Sequence, residues 1–145
     1  MFLTPTIYLI RGLPGCGKTT MAHWLTDYRV AADDFFMVDR EYQFDPSKLP
    51  EAHAWCLEEA TGMIWRPYTA VHNTFTERWE MEPYIRMAAE KGARVVVASL
   101  FDGGLTDEEL AARNTHGVPV EAIAKMRERF EHDWRNGNPL PPWER

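Results

Sequence analysis

Arg11-Gly12-Leu13-Pro14-Gly15-Cys16-Gly17-Lys18-Thr19-Thr20 holds, from Gly12 through Thr19, every fixed position of the pattern G-x-x-x-x-G-K-[ST]. Glycines at 12, 15 and 17 let successive backbone N–H groups curl around a phosphate without Cβ clashes. The Lys18 ammonium then reaches the outer phosphates, and the Thr19 hydroxyl offers an oxygen to a divalent cation. The helix that follows turns its positive end toward the anion. At ordinary residue frequencies the pattern arises by chance in under ~1% of chains this long. The stretch predicts a nucleoside-triphosphate site running from Gly12 to Thr20.

The flanks supply the strand and helix that such a loop needs. Thr6 to Arg11 (TIYLIR) is a β-branched and aromatic run, and Lys18 to Asp27 continues as a helix. Tyr28 to Ala32 reads as a second short strand and Phe35 to Pro50 as irregular. Glu51 to Trp65 is helical, with Ala52, Trp55, Cys56, Ala60, Met63 and Ile64 at spacings of three and four. Tyr68 to His72 is a strand, and a helix with Pro83 in or near its first turn runs to Lys91 and stops at Gly92. Arg94 to Leu100 (RVVVASL) reads as a buried parallel strand. Thr106-x-x-Glu109 is a capping box opening a helix to Asn114. Pro119 starts a last helix with an Ile123, Met126, Phe130, Trp134 core stripe, ended by Gly137. The alternation predicts an α/β chain of P-loop NTPase type, a parallel sheet of about four strands with helices on both faces. A single domain spans 1–145, with a helical lid at about 106–118 and an irregular tail at 138–145.

A chain of 145 residues buries roughly 70% of its unfolded surface without disulfides or structural metal. Cys16 and Cys56 form neither a disulfide framework nor a C-x-x-C metal pattern, which suits a reducing cytoplasm. No apolar run approaches the ~18 residues of a membrane span, and Met1 to Thr4 lacks a basic leader region, so a cytoplasmic protein without membrane partners is expected. A net charge of −6 argues against tight duplex binding by phosphate neutralisation, and most of the six tryptophans read as core.

Among P-loop proteins, a guanine-specific GTPase would carry N-K-x-D, and the sequence has none. A motor ATPase would end a strand in Asp or Asp-Glu, whereas the strand from Tyr68 runs into His72-Asn73-Thr74. Asp33-Asp34 instead follows the second strand, at the carboxyl edge where ligands of open α/β sheets sit. A carboxylate there faces the γ-phosphate from the acceptor side and can take a proton from an attacking hydroxyl, as a kinase requires. The alternative reading of the same pair is a helix cap or turn.

RGLPGCGKTT, ADDFF, YQFDPSKLPEAHAW, HNTFTERWEMEPY and ELAARNTHGVPVEAIAKM, in this order, resemble the polynucleotide-kinase-like P-loop kinases, a family that includes the kinase domain of the T-even phage 5′-polynucleotide kinase and short phage and animal relatives. The resemblance implies ATP and Mg²⁺ as cofactors. Lys18 and Thr19 match the phosphate and Mg²⁺ residues, Asp33 the base, and Arg113 a lid arginine over the triphosphate. His116 lies near a second basic lid position, and His53 matches the short relatives only. Lys18, Asp33 and Arg113 are the expected catalytic residues, with Gly12 to Thr20, Arg113 and His116 around the nucleotide. Thr19 and Asp34 are the expected metal residues, and Asp34, Phe35, Phe36, His72, Asn73 and Thr74 line the acceptor side. Two departures stand out: His72 where the family has a carboxylate, and Phe35-Phe36 where the T-even enzyme has a phosphate-binding arginine. The expected acceptor is a hydroxyl of a nucleic-acid substrate, first a 5′-hydroxyl end. The alternatives are the hydroxymethyl group of a modified pyrimidine in phage DNA, a nucleoside or other small molecule, and a nucleotide-binding module without catalysis.

Overall fold

A computed structural model describes residues 3–145. Its centre is β1 (Thr6–Gly12), flanked by β5 (Tyr68–His72) and β6 (Arg94–Phe101), with β2 (Arg29–Val30) outside β5. All four strands are parallel, and β1 keeps register with β5 from Thr6 opposite Tyr68 to Ile10 opposite His72. A register shift against β6 falls between Arg11 and Gly12, where the chain leaves the sheet for the phosphate loop.

Alternation along β1 distributes the core. Ile7 and Leu9 face α2 (Leu49–Met63) and α3 (Arg78–Lys91), whose Cys56, Ala60, Met81, Tyr84 and Ala88 close that side. Ile10 faces the opposite layer and packs on Ala22, Met21 and Leu25 of α1 (Lys18–Leu25). A third cluster joins Leu13 and Cys16 of the loop to Leu110 of α4 (Asp107–Arg113), Ile123 of α5 (Val120–Arg129) and Phe130. Among the described residues no helix is long and apolar enough to cross a membrane.

Several sequence expectations need correction. Arg94 to Leu100 is an edge strand and only half-buried, because β1 pairs it on one side and, among the described residues, no strand pairs it on the other. Most of the tryptophans are not core: Trp24, Trp65 and Trp143 are 86%, 64% and 74% exposed, and of the three half-buried ones Trp55 and Trp134 pack against the core cluster. The stretch 35–50 contains a small hairpin, β3 (Met37–Val38) with β4 (Glu41–Tyr42), and then a 3₁₀ turn at Pro46–Lys48, capped by Asp45, that leads directly into α2. Pro83 falls in the second turn of α3, and 142–144 form a 3₁₀ turn inside the tail. The last helix stops at Arg129, with Trp134 in a separate 3₁₀ turn.

That early stop has a cause in Arg11, whose side chain is fully buried. Its Nε donates to Phe75 O at 2.9 Å, one terminal nitrogen to Glu131 O at 2.8 Å, and the other to Thr76 O at 3.0 Å. The Phe130 ring lies 4.1 Å from the guanidinium carbon, and Glu131 N donates to Thr76 O at 2.8 Å. Phe130 therefore takes an extended backbone that brings Glu131 into reach. Burial pushes the Arg11 pKa down to about 10, so it stays charged at neutral pH.

Replacing Arg11 with Met keeps much of the volume but takes the donor from the Phe75 and Glu131 carbonyls and leaves Thr76 O only its bond from Glu131 N. Stability should fall by roughly 3 kcal/mol or more. Urea denaturation measures it, and a loss below about 1 kcal/mol would show that water satisfies these carbonyls.

Candidate nucleotide and acceptor site

The phosphate loop is tied down at its edges and open at its centre. Gly12 N donates to Thr74 O at 3.1 Å, Leu13 N to Phe101 O at 2.8 Å, and Cys16 N to Leu13 O at 3.1 Å. Among the described residues, the amides of Gly15, Gly17 and Thr19 have no protein acceptor. Gly17 caps α1 with φ 107° and no side chain, so the positive end of the helix stays uncovered. A Cβ at Gly15, where φ is +83°, would lie 2.5 Å from Leu110 O, so the loop and the end of α4 touch backbone to backbone. This cradle of free amides fits a triphosphate.

Lys18 folds into the cradle, donating to Gly12 O at 2.8 Å and Leu13 O at 3.0 Å. Burial lowers its pKa, opposed by Cys16 and by Asp33. Asp33 is thus within electrostatic reach of the ammonium that marks the outer phosphates. It belongs to the 3₁₀ turn Ala32–Phe36 at the carboxyl end of β2, and its side chain is 48% exposed. Tyr42 Oη donates to Asp33 Oδ1 at 3.1 Å, and His116 Nε2 lies 3.6 Å from Asp33 Oδ2. Asp34 does other work: its Oδ2 accepts from Ala31 N at 2.9 Å and closes the turn.

On β5, His72 Nδ1 lies 3.4 Å from Thr19 Oγ1. Burial pushes the His72 pKa down to about 4, against the pull of Asp34, so the ring is neutral at pH 7. Asn73 is buried, accepting from Ala32 N at 2.8 Å and lying 3.7 Å from Cys56 Sγ, while Thr74 contributes its carbonyl to the loop. The expected surface at Phe35-Phe36 is halved. Phe36 is 3% exposed, its ring closed off by Phe35, Tyr42 and Phe44, so it cannot stack a ligand. Phe35 is half-buried against Trp55. His53 lines a separate apolar cleft with Trp79, Pro83 and Trp143, whose walls include none of the loop residues.

The 106–118 segment packs on the loop at Leu110 and Asn114, and Asn114 shapes the turn that follows. Asn114 Nδ2 donates to Ala111 O at 3.0 Å and Val118 O at 3.1 Å, and its Oδ1 accepts from His116 N at 3.2 Å and Val118 N at 2.9 Å. Arg113 is exposed at the end of α4, near enough for its charge to act on Cys16. The His116 ring centroid lies 4.2 Å from that of Tyr42. Sequence reasoning missed Tyr42, Asn114 and Arg11. Tyr42 opens one of the motifs of the resemblance, but its hairpin carried no local signal, because it turns through left-handed Asp39 and Arg40, at φ 50° and 70°, without the Asn-Gly that marks such turns.

Of the two expected cation residues, Thr19 has its Oγ1 at 3.4 Å from His72 Nδ1, and Asp34 is near enough for its charge to act on His72. Among the described residues no group of three or more His, Cys, Asp or Glu side chains clusters to hold a metal.

Gly15→Ala would force a Cβ into Leu110 O at a backbone angle that alanine resists. Affinity for a non-hydrolysable ATP analogue should fall roughly tenfold or more by calorimetry, while the melting temperature shifts only a few degrees. Unchanged affinity would mean that the loop does not need its contact with α4.

A family described as AAA domain matches residues 7–132. The human NEDD4-binding protein 2 is 32% identical over 133 residues, covering 86% of this chain but only 8% of that protein. Among solved structures, a chain of the Pnkp1/Rnl/Hen1 RNA repair complex superposes with a TM-score of 0.66 at 18% identity, over 90% of this chain and 45% of the other. A gluconokinase from Sinorhizobium meliloti superposes with a TM-score of 0.54 at 12% identity, over 90% and 77%. Both superpositions concern the fold. With the complete phosphate loop, the parallel sheet around it and a family match spanning most of its length, the chain belongs to the AAA domain family and has a P-loop NTPase fold.

Proposed function

We propose that this domain transfers the γ-phosphate of ATP to a hydroxyl of a nucleic-acid substrate, with a 5′-hydroxyl end as the first candidate. The carrying observation is the placement of Asp33: half-exposed, at the sheet's carboxyl edge, with electrostatic reach to Lys18 and its carboxylate oriented by Tyr42. In this reading the loop amides and Lys18 hold the β- and γ-phosphates. Asp33 accepts the proton of the acceptor hydroxyl as its oxygen attacks phosphorus, and ADP leaves. Mg²⁺, when bound through Thr19 with Asp34 nearby, neutralises charge on the phosphate oxygens. Arg113 reaches over the triphosphate as the 106–118 lid closes, with His116 beside it.

The nucleic-acid acceptor is supported by the ordered motifs shared with polynucleotide kinases and by the structural neighbour drawn from an RNA repair complex. Phe35, the accessible half of the aromatic pair, offers a base a face without a phosphate handle, which suits a hydroxymethyl pyrimidine in phage DNA as the second candidate. The acidic net charge and the gluconokinase-like superposition favour a small-molecule acceptor instead. A cytoplasmic setting completes the proposal.

Asp33→Asn preserves shape but removes the proton acceptor, so turnover should drop roughly 10²- to 10⁴-fold with little change in ATP affinity. Single-turnover transfer from γ-labelled ATP measures it, and a drop below tenfold would assign the base elsewhere.

The acceptor is found by screening labelled transfer to 5′-hydroxyl oligonucleotides, hydroxymethyl-pyrimidine DNA, nucleosides and gluconate. Oligonucleotide labelling that weakens roughly tenfold in Phe35→Ala, through KM more than kcat, is the expected result. Label appearing only on nucleosides or gluconate would overturn the nucleic-acid reading.

A further inference from the structure

We propose that His72 is a direct ligand of the divalent cation that Thr19 holds, and that it shifts the domain's preference from Mg²⁺ toward first-row transition ions in the order Co²⁺, Mn²⁺, Mg²⁺. The inference rests on the reading of the loop as a metal–triphosphate site.

Position and distance carry it. His72 ends β5 and Thr19 opens α1, so the sheet edge and the helix start bring Nδ1 and Oγ1 together at 3.4 Å. A hydroxyl–imidazole hydrogen bond closes to about 2.8 Å. The observed gap is loose for that bond. Two neighbouring ligands of an octahedral ion, each bonded at about 2.1 Å, stand about 3.0 Å apart, and longer bonds widen the gap. The Thr19–His72 spacing therefore accommodates an ion between the two atoms after a shift of a few tenths of an ångström.

The ring cannot easily turn away. His72 is 9% exposed and held in register opposite Ile10 of β1, so its nitrogen is presented by a strand rather than a loop. His23, one helical turn beyond Thr19, lines a shallow opening with Thr19, Thr20 and Trp24 and is near enough for its charge to act on His72. A protein site offering Thr19 oxygen and imidazole nitrogen suits a borderline ion better than Mg²⁺, which favours oxygen ligands. Affinities at such a site rise from Mn²⁺ to Co²⁺.

Mn²⁺ with a non-hydrolysable ATP analogue is the probe, added to uniformly ¹⁵N-labelled protein so that only the chain contributes ¹⁵N. Continuous-wave EPR counts bound Mn²⁺, and pulsed ENDOR reports nitrogen bonded to it. The expected result is a ¹⁵N coupling in the wild-type complex that disappears in His72→Asn. In parallel, competition binding should show the Co²⁺ to Mg²⁺ affinity ratio falling roughly tenfold or more in His72→Asp, where a carboxylate restores an all-oxygen set. Bound Mn²⁺–nucleotide without a ¹⁵N coupling in wild type would overturn the His72 assignment while leaving the nucleotide site intact. Failure of any Mn²⁺–nucleotide complex to form would overturn both.

Discussion

The buried guanidinium of Arg11 is the constraint on which the rest of this domain is arranged. It stands one residue before the phosphate loop, and its donors meet carbonyls of Phe75, Thr76 and Glu131, where the chain has just left β5 and α5. Two segments far apart in sequence, at Phe75–Thr76 and at Glu131, are thus fixed around the residue that launches the loop. The planar fork matters, because a lysine ammonium would not reach acceptors spread across one plane in this way. In a medium of low polarity these bonds are strong when complete and costly when broken, so the junction favours a single arrangement.

From that junction the site is built by contacts between backbones. The loop is bonded to the ends of β5 and β6, and Gly15 lets the carboxyl end of α4 rest directly on it. Asn114 then shapes the turn that carries His116 to Tyr42 and Asp33. Loop, lid and candidate base are therefore mechanically linked, which is the preorganisation that electrostatic stabilisation of phosphoryl transfer demands. Residues that look like ligands in a motif divide their labour here. Asp33 is displayed, while Asp34 and Asn73 bond the backbone of the turn that displays it.

Much of this was legible from local patterns. Tyr68 to His72 begins and ends where the alternation of its side chains says, and the Thr106–Glu109 capping box forms reciprocally, at 3.2 and 3.1 Å. The run at Arg94 misled because an apolar strand reads alike in the middle of a sheet and at its edge. What distinguishes them is the second neighbour, which sequence does not display. The stripe from Ile123 to Trp134 misled for a related reason: its helical spacing is real, but Arg11 and Thr76 draw Glu131 out of the helix.

The sequence by itself determined the phosphate loop, the alternation of strands and helices, and the acidic pair at the sheet edge. Each of these depends on a few neighbouring residues: glycine torsions, side-chain periodicity and a turn following a strand. Tertiary structure alone decided which aspartate faces Lys18, that Phe36 is enclosed while Phe35 stays accessible, and that Tyr42 and His116 converge on Asp33. It also decided that His72 stands beside Thr19, 53 positions away in the chain. Those choices are made by packing between distant segments, where the partner of a side chain is set by three-dimensional geometry and leaves no periodic mark on the chain.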